Sequence, residues 1–199
     1  MKKVVNPETG RNIVVGGSTH NKLVNLKKPI IFTYGRLNPP TKGHEAMIMN
    51  MIRRAKESGA SVRIILSHSQ NNKKNPLTIN EKKKYLSYSF PNINMNVSSK
   101  ERQIKNIIME LKAKHPHVQM VVGSDRVNSF KKFLNVNVQK SGMNRVEGGV
   151  SGTKARIAAM TNNKNGFREC VSTKISNENM TRMMLTIKKR LKNIQTRKK

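Results

Sequence analysis

Between Ile30 and Val122 the apolar residues fall into short unbroken runs, separated by stretches in which they recur at helical spacing. Ile30-Ile31-Phe32-Thr33-Tyr34, closed by Gly35, reads as a buried strand. Ala46, Met47, Met49, Ile52 and Ala55 then line one side of a helix that Gly59 stops. Val62-Arg63-Ile64-Ile65-Leu66 reads as a second strand. Thr78 with Glu81 forms a capping box that opens a helix through about Ser87. Ile93 to Val97 alternates apolar and polar residues, as a third strand does. Ile104, Ile107, Ile108 and Leu111 make a helical stripe ending near His115-Pro116, and Val118 to Val122 is a fourth strand closed by Gly123. Strands alternating with helices at this spacing predict an α/β fold, a doubly wound parallel sheet. Ligands of such sheets bind beyond the carboxyl ends of the strands, so Gly35 and Gly123 are expected to open onto one crevice.

The pattern weakens at both ends. Residues 1–28 carry turn signals (Asn6-Pro7, Thr9-Gly10, Gly16-Gly17) and no sustained period, which predicts a basic, weakly structured arm. Past Leu134 only Val136 and Val138 suggest a strand stub, before a helix from about Thr153 to Ala159. Met180, Met183, Met184, Ile187, Leu191 and Ile194 line one face of a final helix whose other face is Lys and Arg. That stripe is either core packing or the apolar face of a basic amphipathic helix that meets a partner or membrane surface. The expected organisation is an arm over 1–28, a domain over 29–172, and a basic helix and tail over 173–199, with no internal repeat.

Length and apolar content, 199 residues and 35%, support one core and leave little for a second. Charge changes the picture more. Forty Lys and Arg against ten Asp and Glu give +30, spread over arm, domain and tail. Such a field attracts nucleotides, nucleic acid and anionic membrane surfaces, unless it is only the solvated surface of a lysine-rich chain. The single cysteine, Cys170, excludes an internal disulfide and a Cys-based metal cluster, which fits a reducing compartment. Met1 to Pro7 lacks the apolar run of a signal peptide, and no stretch approaches a membrane span, so a soluble intracellular protein is expected.

Candidate chemistry gathers after the first strand. Gly35 allows a sharp turn, Pro39-Pro40 fixes the path of the loop, and Thr41-Lys42-Gly43-His44 enters the next helix. Exposed N–H groups and the helix dipole make such an N-terminus a phosphate site, to which Lys42 and His44 add charge and donors. On physical grounds alone His44 reads equally as a capping or packed histidine. Lys82-Lys83-Lys84 reads as a solvated helix face, and His20, His68, His115 and His117 as bystanders.

The segment Gly35-Arg36-Leu37-Asn38-Pro39-Pro40-Thr41-Lys42-Gly43-His44 resembles the signature of the cytidylyltransferase-like nucleotidyltransferases. Its Gly-Arg opening is similar to archaeal-type nicotinamide mononucleotide adenylyltransferases and related phage and viral proteins. Val150-Ser151-Gly152-Thr153-Lys154-Ala155-Arg156 resembles the late Ser-Gly-Thr-x-x-Arg motif of that family. Gly123-Ser124-Asp125-Arg126 stands where such proteins carry a loop after the fourth strand, and Asn75-Pro76-Leu77-Thr78 resembles their substrate-side loop. The resemblance covers about residues 29–172.

It implies a Rossmann-like, HIGH-type nucleotidyltransferase fold. The implied reaction is attack of a phosphate-bearing acceptor, nicotinamide mononucleotide first, on the α-phosphate of ATP or CTP, with pyrophosphate leaving. His44 and Thr41 would bond the α-phosphate, and Arg156 at the helix start of Ser151, Gly152 and Thr153 would grip the β and γ phosphates. Gly35 and Gly43 would let the backbone approach, and Arg36 and Lys42 would add charge. Asp125 would bind a ribose hydroxyl or help hold magnesium, unless it is a helix N-cap. Mg²⁺ would arrive with the triphosphate. Two departures stand out: Thr41 replaces a His found in many members, and the chain is short between Leu134 and Val150.

Asn6 to Ile13 with Gly16-Gly17 and Asn21-Lys22-Leu23 resembles the two-cysteine adaptor of large DNA viruses, without its cysteines. That implies a viral protein of the host cytoplasm or virion. The alternative to the enzyme is a catalytically reduced, highly basic protein on the same scaffold, which binds nucleic acid or is packed in a virion.

Overall fold

The computed structural model describes residues 1–6, 9–26, 28–71, 74–97, 103–141 and 150–192. Pro7, which falls in the amino-terminal resemblance, and Ile194, which falls in the final stripe, lie outside them.

Two short strands, β1 (Lys3–Val5) and β2 (Asn12–Val14), pair antiparallel and lead into α1 (Ser18–Leu26). The expectation of a weakly structured arm is therefore corrected. Three-residue strands are too short to show alternation, and hydrogen bonds such as Asn6 N–H to Arg11 O (2.8 Å) close the hairpin locally.

A five-stranded parallel sheet follows, with strands β3 (Ile30–Gly35), β4 (Ser61–Leu66), β5 (Asn94–Val97), β6 (Val118–Val122) and β7 (Asn137–Lys140) in the order β5-β4-β3-β6-β7. β3 is central and its first four residues are buried, which is why apolar Ile30, Ile31 and Phe32 follow one another rather than alternating with polar residues. Helices α2 (Lys42–Ser58) and α3 (Ile79–Ser87) pack on one face. Met47, Ile48, Met51 and Ala55 are the buried stripe of α2, and Gly59 ends it in the left-handed region at φ 65°. Helices α4 (Ile104–Lys114) and α5 (Val127–Phe133) cover the other face, around Phe32, Ile65, Met120 and Val138. Strand order reverses between β3 and β6, with later strands added on the opposite side of β3, so a crevice opens beyond their carboxyl ends.

Three further helices, α6 (Gly152–Met160), α7 (Lys164–Cys170) and α8 (Asn177–Lys192), complete the described residues. Met180, Met183, Met184 and Ile187 of α8 lie buried against Ala155, Ala159, Phe167, Leu77 and Tyr85. The methionine stripe is core, and the final helix is packed onto the same domain.

The reading of Lys82-Lys83-Lys84 as a solvated face fails at Lys82, which is 1% exposed. Lys82, Tyr85 and Leu86 share one buried face of α3 at i, i+3 and i+4. The Lys82 ammonium donates to the Ser67 carbonyl just past β4, at 2.8 Å. Burial pushes this amine down to about 8 from 10.5. Between those values the unfolded chain holds a proton that the folded chain has shed, so stability rises with pH across that window. Denaturant melts of the wild type should show this gain from pH 8 to 10, and Lys82→Met should remove most of it. Equal pH slopes for both proteins would count against a buried amine.

Candidate functional site

The crevice beyond β3 and β6 is a cleft of about 410 Å³. Its floor is the turn from β3 into α2. Leu37 sits there at φ 42°, a conformation that costs energy for a branched side chain, and is held by burial of that side chain beside Ile48, Ile64 and Leu66. A cis Asn38–Pro39 bond follows.

Thr41 caps α2, and its main-chain N–H donates to His44 Nδ1 at 3.1 Å. The Thr41 hydroxyl lies 2.9 Å from the same nitrogen. A peptide N–H can only donate, so Nδ1 is the acceptor and the ring proton sits on Nε2. The cap thus fixes the tautomer of a histidine that lines the cleft. His44 therefore takes part in the helix cap and lines the cleft at once. Thr41 itself is 3% exposed, with its hydroxyl turned to His44.

A second helix N-terminus enters from α6, where the Ser151 hydroxyl accepts from Lys154 N–H at 3.1 Å. Arg156, one turn in, is held on two sides: Nη1 donates to Asn38 O at 2.9 Å and Nη2 to Thr153 Oγ1 at 3.0 Å. A Cβ on Gly152 would lie 3.2 Å from Arg156 Nη1 and 3.4 Å from Asn38 O, so a side chain there would crowd this junction. Burial first, and then the charge of Arg36, lowers the pKa of Arg156, which still stays cationic. Two helix dipoles and the cations Arg36, Lys42, Lys74, Arg126 and Arg156 therefore converge on one space. No Asp or Glu is among its described lining residues.

Gly35, Arg36, Thr41, Lys42, Gly43, His44, Ser151, Gly152, Thr153 and Arg156 all line the cleft. Asp125 does not. It is the middle residue of a 3₁₀ turn, Ser124–Arg126, and its carboxylate folds back toward Gly123, 2.7 Å from where a Cβ would stand. Nor does it cap α5, whose N-cap is Arg126. Arg126 and Phe130 line the wall instead. His68 is not a lining residue, and His115 is a buried structural histidine whose Nδ1 donates to the Lys28 carbonyl at 2.8 Å.

Sequence reasoning missed Asn38, which is 5% exposed and pairs through both ends of its amide with Leu77. Asn75, from the segment read as a substrate-side loop, lines the cleft, whereas Lys74, Arg126, Phe130 and Ser141 were missed as lining residues. Arg126 stood inside a noted segment, and Phe130 is one helical turn on. No signal marked Lys74 or Ser141.

A family model described as cytidylyltransferase-like matches residues 32–196, from the third residue of the central strand β3 to beyond α8. No curated protein matches the chain.

Proposed function

Since the chain belongs to the cytidylyltransferase-like family, we propose that its cleft joins a nucleoside monophosphate, from ATP or CTP, to a phosphate-bearing acceptor. Nicotinamide mononucleotide is the first acceptor to test. The observation that carries this reading is the locked tautomer of His44 beside a cation-lined space. An N–H donor on Nε2 suits the α-phosphate oxygens, whose charge must be stabilised as the acceptor attacks.

In the proposed reaction an acceptor phosphate oxygen bonds to the α-phosphorus. The bond from that phosphorus to the β-bridging oxygen breaks, and pyrophosphate leaves with the electron pair. No covalent enzyme intermediate is required, so positioning and charge do the catalysis. Arg156 and Arg36 hold the β and γ phosphates, a role that suits guanidinium forks. Lys42, Lys74 and Arg126 supply more positive charge than a magnesium-bound triphosphate neutralises, which favours an acceptor that is itself anionic. The described lining offers no carboxylate to cage a metal, so magnesium enters as part of the nucleotide substrate. Incubation with Mg-ATP or Mg-CTP and a panel of phosphate-bearing acceptors should release pyrophosphate. Silence across the panel would overturn the reading.

A second reading, binding of single-stranded nucleic acid with or without packaging in a virion, is favoured by the end of α5. There Phe133 is 71% exposed directly after exposed Lys131 and Lys132, an aromatic platform beside phosphate-seeking charge. Oligonucleotide affinity should fall steeply with salt, and Phe133→Ala should weaken it roughly tenfold or more. Binding already lost at low salt would remove this reading.

A further inference from the structure

We propose that the C-terminal helix α8 regulates the cleft, with Arg190 positioning the phosphate-gripping Arg156 through hydrogen bonds joined by the backbone of residues 76–78 and of Asn38. The proposal rests on the reading of Arg156 as a triphosphate ligand.

The chain begins at Arg190, whose fork pairs with the Glu81 carboxylate through both terminal nitrogens. Nη1 also donates to the Pro76 carbonyl at 2.6 Å. The Glu81 carboxylate accepts in turn from the Thr78 N–H at 2.8 Å and from the Thr78 hydroxyl at 3.0 Å. Burial alone would raise the pKa of Glu81, but Arg190 and Thr78 together hold it below its ordinary value, so the pair stays charged. Residues 76–81 are thus gripped at both ends from α8. Between those ends Leu77, fully buried, exchanges two bonds with the Asn38 carboxamide: its N–H donates to Oδ1 at 3.0 Å, and its carbonyl accepts from Nδ2 at 2.8 Å. The Asn38 carbonyl then accepts from Arg156 Nη1.

Apart from the local Thr78–Glu81 bonds, each link joins segments far apart in sequence, and each is at least partly shielded from water. A shift of residues 76–78 therefore passes to the loop at Asn38 and on to the guanidinium. Docking of α8 does not depend on Arg190, because the buried face of Met180, Met183, Met184 and Ile187 holds the helix against α6 and α7. What Arg190 adds is register. By linkage, a ligand that fixes Arg156 must also favour the docked state of α8.

The test is calorimetric binding of inorganic tripolyphosphate to the full chain and to Arg190→Ala, Arg156→Ala and the double variant. Arg190→Ala should weaken binding roughly tenfold, and Arg190→Lys should recover little, since one ammonium cannot span Glu81 and Pro76 together. In the Arg156→Ala background Arg190→Ala should have no further effect, a non-additivity that general loosening of the fold would not produce. Glu81→Gln keeps the helix cap but removes the charge of the ion pair, and should give a smaller loss of the same kind. Unchanged affinity in Arg190→Ala, or equal losses in both backgrounds, would overturn the proposal. Wild-type affinity in Arg156→Ala would instead overturn the assignment of Arg156 as a phosphate ligand.

Discussion

Replacing His44 with alanine should slow pyrophosphate release by roughly 10²–10³-fold while leaving triphosphate affinity nearly unchanged. The asymmetry follows from where the charge moves. In the bound substrate the α-phosphate would already be solvated, so one N–H donor adds little. As the acceptor attacks, negative charge builds on the α-phosphate oxygens, and a donor fixed in advance need not reorganise to meet it. The fixing comes from the Thr41 N–H on Nδ1, which leaves Nε2 as the donor nitrogen. Because that donor is main chain, Thr41→Val keeps it and loses only the hydroxyl contact. Thr41→Val should therefore cost much less than His44→Ala, roughly tenfold or below. His44→Gln, able to donate through a longer and freer arm, should fall between the two. A His44→Ala enzyme with unchanged kcat and raised KM would assign this histidine to ground-state binding instead.

How far the sequence predicts the molecule depends on what each signal measures. β3, β4 and β6 are legible because strands covered on both faces are mostly apolar, despite Thr33, Arg63 and Gln119, and Gly59 and the Thr78–Glu81 box are legible because helix ends need local chemistry. α5 and α7 escape the same reading. α5 has no fully buried residue, and α7 buries only Phe167 and Cys170, so neither shows a period. Lys82 misleads because composition hides geometry: only one lysine of the three shares the face of Tyr85 and Leu86. Within the cleft, the two motif segments carry their own residues into contact. Asn38 is different. Its partners Leu77 and Arg156 lie 39 and 118 positions away, and nothing local in the chain marks such a junction. The acid that motif order suggested, Asp125, stands one residue from the side chain that lines the wall, a distinction that only the 3₁₀ turn decides.

Arg156→Ala should produce the other large loss, and of a different kind: KM for the triphosphate should rise about 10²-fold, with kcat falling as well. Charge-assisted hydrogen bonds are worth about 1.5–3 kcal/mol each, so a fork that makes two to the leaving phosphates accounts for that rise. Charge grows on pyrophosphate as it departs, so the same contacts also strengthen toward the transition state. Arg156→Lys should not restore either parameter. In the free protein the guanidinium is held at once by Asn38 O and Thr153 Oγ1, and a single ammonium cannot keep both while facing a phosphate. The loss should persist in high salt, because burial shields Arg156 from the screening that weakens exposed lysines. In the proposed reaction His44 and Arg156 act on different phosphates, so their effects on kcat/KM should add in the double variant. Steady-state pyrophosphate release over a range of triphosphate concentrations separates these outcomes. An Arg156→Ala enzyme with normal KM would move the triphosphate away from α6, leaving Arg36 and Lys42 at the start of α2 to hold it.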